Sequence, residues 1–82
     1  MLKRKGFELM IASPPDHDSL VAEIYYDGLF VALISQERGN GVFEIETPGP
    51  NLVEKEVIRK VEVEGFQKIV ELACKRLRGE NP

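Results

Sequence analysis

One cysteine and one histidine occur in these 82 residues, and each scarcity closes a route to function. Cys74 has no partner for an internal disulfide, so the fold must rest on non-covalent packing, and a reducing compartment is expected. With His17 as the sole imidazole, a nucleophilic triad or a multi-histidine metal centre has little material. No apolar run approaches a membrane span, and Lys3-Arg4-Lys5 leads into β-like alternation instead of a signal-peptide core, so the expected location is cytoplasmic. A formal net charge of -3 also denies the chain the clustered cationic excess that nucleic-acid backbones demand. Its basic residues gather near the ends, at Lys3-Arg4-Lys5 and at Lys75, Arg76 and Arg78. The middle is correspondingly more acidic than the total.

What is present is ordinary globular material, with 43% hydrophobic and 30% charged residues. The expectation is one domain over residues 1–82, with 1–5 and 79–82 as loose ends. Turn signals divide it. Phe7, Leu9 and Ile11 alternate along a first strand, Phe7 to Ala12, which Ser13-Pro14-Pro15-Asp16-His17-Asp18 ends. Leu20 to Tyr26 and Leu29 to Glu37 flank Asp27-Gly28, a dipeptide suited to the two positive φ values of a type I′ hairpin. Val42 to Thr47 follows Arg38-Gly39-Asn40-Gly41, and Pro48-Gly49-Pro50-Asn51 breaks the chain again. From Val57 to Val63 alternation suits an edge strand guarded by charge, with a helical turn at Leu52 to Val57 as the competing reading. Phe66, Ile69, Val70, Ala73 and Leu77 form a helical stripe that Gly79 closes. The fold class is α+β: an antiparallel β-meander of four to five strands with one C-terminal α-helix packed on one face.

A two-residue turn places Tyr26 opposite Leu29, Ile24 opposite Val31, Ala22 opposite Leu33 and Leu20 opposite Ser35. That face is almost wholly apolar, and with Phe7, Leu9 and Ile11 it is expected to receive the helix. Ala32 and Ile34 then join Val21, Glu23, Tyr25 and Phe30 on the other, mixed face. A three-residue loop after Glu37, with Gly41 or Asn40 left-handed, would send Glu44 and Glu46 outward and turn Phe43 and Ile45 toward the apolar face.

The chemistry-bearing residues have plain structural readings. His17 between two aspartates reads as a solvated turn, because a second ligand cluster is missing. Cys74, one position off the helical stripe, reads as a partly buried structural thiol. Gly39-Asn40-Gly41 lacks the helix and the Lys-Ser/Thr of a phosphate loop and reads as a turn. Glu44 and Glu46, on one face of a strand, read as its solvated side rather than a catalytic pair. The expectation is therefore no catalysis, no cofactor and no metal. More informative is the mixed face, an apolar patch interrupted by Glu23 and edged by Glu44 and Glu46. It is either an interface or a surface covered by the Pro48–Leu52 loop.

The stretch Leu20 to Glu37, with Glu23-Ile24-Tyr25-Tyr26 and then Ile34-Ser35-Gln36-Glu37, resembles short bacterial immunity-type proteins of polymorphic or contact-dependent toxin systems. The resemblance spans about a quarter of the chain and carries no functional residue with it. It implies a cytoplasmic protein that binds and blocks a toxin domain, and an acidic strand surface would suit a basic partner. The expected contact residues are Glu23, Tyr25, Phe30, Glu44 and Glu46. A homo-oligomeric structural module, such as a homodimer paired through the same patch or an edge strand, is the alternative; neither nucleic acid nor membrane is expected as a partner.

Overall fold

The computed structural model describes residues 2–4, 6–15, 19–39, 41–50 and 54–79, with backbone alone at 2–4 and 54. Asp16, His17, Asp18, Asn40, Leu52 and the residues beyond 79 lie outside this set. Five strands follow in order: β1 (Leu2–Arg4), β2 (Phe7–Ala12), β3 (Val21–Tyr26), β4 (Leu29–Ser35) and β5 (Glu44–Glu46). They form one antiparallel sheet in sequence order, and α1 (Val63–Leu77) packs on one face of it, as the α+β reading expects. No helix among the described residues is long and apolar enough to cross a membrane.

The β3–β4 hairpin turns on Asp27 at φ 52° and Gly28 at φ 83°, the two positive values that the dipeptide supplies. Tyr26 pairs with Leu29 and Tyr25 with Phe30, as the turn dictates. One residue later the ladder departs from simple alternation. Ile24 pairs with Ala32, Glu23 with Leu33 and Ala22 with Ile34, so Val31 is an extra residue on β4, a β-bulge. The bulge exchanges the faces of everything that follows. Ala32 and Ile34 turn toward the helix, and Leu33 turns away, the reverse of the expectation from unbroken register.

The helix side of the sheet is the core. Phe7, Leu9 and Ile24 are almost fully buried there with Ile34 and Ile69. Along α1 the buried line is Gly65, Ile69, Leu72 and Ala73, while Phe66, Val70 and Leu77 are its half-buried flank. The sequence stripe thus lies slightly to one side of the true contact. Gly65 is buried because Phe7 occupies its space: a Cβ there would stand 3.0 Å from Phe7 Cε2. Phe7 in turn packs edge-on against Tyr26, with ring centroids 4.9 Å apart. At the N-terminus of α1 the Glu62 carboxylate accepts from the backbone N–H groups of Glu64 and Gly65, each at 2.8 Å.

The segment 57–63 is not an edge strand. Glu54–Glu56 make one 3-10 turn, in keeping with the competing reading, and the segment's ladder pairing with the sheet is a single parallel bridge from Val57 to Phe30. The reason is competition for one edge. β5 already holds β4 at Leu33, Ile34 and Ser35, so the returning chain reaches β4 only at Phe30, through Ile58 N–H to Phe30 O at 3.0 Å. Val63 then begins the helix, 67% exposed.

Face assignment by the bulge has a direct consequence for stability. Ile34→Lys places an unpaired charge in the core and is expected to unfold the chain. Leu33→Lys lands between Glu23 and Glu46 on the opposite face and should fold with a loss within about 1.5 kcal/mol. Urea denaturation of both variants checks this; a folded Ile34→Lys beside an unfolded Leu33→Lys would contradict the bulge.

Candidate functional site: the outer face of the sheet

Pairing fixes the face opposite the helix. Across it run Glu8, Tyr25 and Phe30 in one row, then Met10, Glu23, Leu33 and Glu46 in the next. Beyond these, Ala12 pairs with Val21 and Ser35 with Glu44. All five residues singled out from the sequence, Glu23, Tyr25, Phe30, Glu44 and Glu46, therefore share this face. Phe43 and Ile45 point to the helix side, as expected, but by a different route. The link from Ser35 to Glu44 is even in length, and the bulge supplies the compensating change of face.

Membership of the apolar patch is corrected by the same bulge. Ala32 and Ile34 leave it and Leu33 enters. Val21 is on this face but fully buried, and Ser35 is 2% exposed, so the end of the face nearest the 13–20 connection is closed. There Ser19 N–H donates to Glu37 Oε1 across the sheet end, at 3.4 Å. Pro48 borders the helix side of the molecule, where Arg59 binds the carbonyls of Pro48 and Gly49. The described part of the Pro48–Leu52 loop is thus held away from the outer face.

What stays open is the other end, around Tyr25 and Phe30. Their rings pack edge-on with centroids 5.7 Å apart, and both are half-buried. The Tyr25 hydroxyl donates to Glu23 Oε1 at 3.2 Å. Burial raises the Tyr25 phenol above its ordinary value, and the charge and hydrogen bond of Glu23 push the same way. Glu44 forms an exposed ion pair with Arg38, Nη1 to Oε2 at 3.7 Å. The aromatic pair thus has Glu8 in its own row and Glu23 in the next with Met10 and Leu33, while Glu46 and Glu44 lie farther along the same face.

Glu8 and Met10 were missed by the sequence reading, although the signal was available. Once Phe7, Leu9 and Ile11 are assigned to the core, alternation sends Glu8 and Met10 outward. Nothing chemical converges elsewhere among the described residues: no group of three or more His, Cys, Asp or Glu side chains is placed to hold a metal ion. Cys74 is half-buried in the helix flank, and burial pushes its thiol up, with Arg78 opposing in part. That disfavours the thiolate. Comparison with known proteins finds no matching family model, no matching characterised protein and no matching solved structure.

The Tyr25–Glu23 contact predicts a pH dependence. A raised phenol pKa means the folded state keeps the proton after the unfolded chain has lost it. Stability is then full below about pH 10, falls as pH rises through that unfolded value, and levels off above the folded one. In Glu23→Gln the Tyr25 titration should move down toward about 10. Ultraviolet absorbance, with Tyr25→Phe identifying the signal, reads this. An unmoved titration would remove Glu23 as a cause.

Proposed function

We propose that this chain is a non-enzymatic protein-binding module whose outer sheet face engages a basic partner, and more narrowly an immunity protein that neutralises a toxin domain. The observation that carries the reading is the Tyr25–Phe30 pair left half-exposed on a sheet face that also bears Glu8, Glu23, Glu44 and Glu46. Aromatic side chains with little rotamer freedom make good anchors, and a rim of one sign steers an oppositely charged partner. Self-pairing through this face is the weaker reading on electrostatic grounds. A two-fold contact through this face brings two copies of the same acidic surface together.

Co-expression with a toxin domain encoded beside the chain tests the narrow reading by growth, and binding kinetics test the surface. The double variant Glu44→Lys, Glu46→Lys should slow association roughly ten-fold and flatten its salt dependence. Tyr25→Ala with Phe30→Ala should act mainly on dissociation. If both variants bind and protect like the parent, the outer face is not the contact surface.

A further inference from the structure

The geometry around Tyr25 distinguishes between the two kinds of cation that a basic partner can offer. The Tyr25 hydroxyl donates to Glu23 Oε1 at 3.2 Å, and the ring packs edge-on against Phe30 with centroids 5.7 Å apart. One side chain thus joins a carboxylate to an aromatic pair. Glu23, Tyr25 and Phe30 are all half-buried, so part of their rotamer freedom is already lost in the free chain. An incoming group meets an acceptor and an aromatic surface held side by side, and little ordering remains to be done on binding.

The neighbours add charge and apolar surface. Glu8 stands directly across β2 from Tyr25, and Glu23 is its diagonal neighbour, which puts the two positions about 7–8 Å apart. Lys3 takes the next place in the row of Glu8, on β1, so the acidic weight of the site lies toward Glu23. Met10, 38% exposed, and Leu33 flank Glu23 on its two sides. The Tyr25 hydroxyl uses one acceptor position of the Glu23 carboxylate, which has about four.

A lysine ammonium is a compact, strongly hydrated point charge, and half-buried surroundings oblige it to shed water that rings and methylenes do not replace. A guanidinium is weakly hydrated and planar. It can lie against an aromatic ring while its N–H fork reaches a carboxylate beside that ring. We infer that the partner meets this site with an arginine, its guanidinium packed on the Tyr25–Phe30 pair and donating to Glu23. The inference rests on the outer face being the contact surface and names the side chain that the face selects.

The test is a backbone-amide NMR titration of the chain with two acetylated, amidated tripeptides, glycine-arginine-glycine and glycine-lysine-glycine. The arginine peptide should shift the amides of Glu23, Tyr25 and Phe30, and bind at least roughly three-fold more tightly than its lysine counterpart. Glu23→Gln keeps the shape of the side chain and should bring the two peptides level. A smaller preference in the parent chain overturns the inference without recourse to any variant, and leaves the face open to a basic partner of either kind. Arginine shifts that miss those three amides overturn it too, as does a preference that Glu23→Gln leaves unchanged. Whether the face is a contact surface at all is decided separately, by the binding kinetics of Tyr25→Ala with Phe30→Ala.

Discussion

A single extra residue, Val31, decides which side of the sheet each later residue of β4 faces. Without it, Leu33 and not Ile34 would lie under the helix, and the core would lose one of its most buried side chains. With it, Ala32 and Ile34 line up with Ile24 and Ala22 beneath α1, and Val31 stays buried at the kink. A bulge costs a ladder hydrogen bond locally and strengthens the strand's twist. Here the gain is a continuous apolar face from Phe7 to Ile34. β5 inherits its orientation from β4, so the outward direction of Glu44 and Glu46 rests on the same residue.

The two sides that result differ in charge as well as polarity. Glu8, Glu23, Glu44 and Glu46 share the outer face with the aromatic pair. Arg59 and Lys60 border a groove on the helix side, where β5 and the returning chain share one edge and part around Val31 and Ala32. The formal charge of the whole chain conceals this division. A domain this small buries nearly all its large apolar side chains, so those it leaves half-exposed in clusters are informative. Among the described residues Tyr25 with Phe30 is one such cluster, and Phe66 with Val70 is another.

Much of this was legible in the residues themselves. Asp27-Gly28 announced the hairpin, strict alternation gave β2, and the helical spacing of Phe66, Ile69, Val70 and Ala73 gave α1. The bulge was not legible, for a physical reason. Leu29 to Ile34 is an unbroken apolar run, so either face of β4 suits the core and the pattern cannot choose a register. Alternation from Val57 to Val63 misled for another reason: pattern reports which faces a strand would have, not whether an edge is free to receive it. The five expected contact residues were found on one face because Glu23, Tyr25 and Phe30 lie before the extra residue, while Glu44 and Glu46 were rescued by the even connection after it.

Cross-strand proton contacts on isotope-labelled protein test the bulge most directly. The account predicts nuclear Overhauser contacts between the backbones of Ala22 and Ile34, and of Ile24 and Ala32, with Val31 lacking a partner on β3. Backbone contacts joining Ala22 to Leu33 and Ile24 to Val31 would restore unbroken register. They would contradict both the core and the two faces described above.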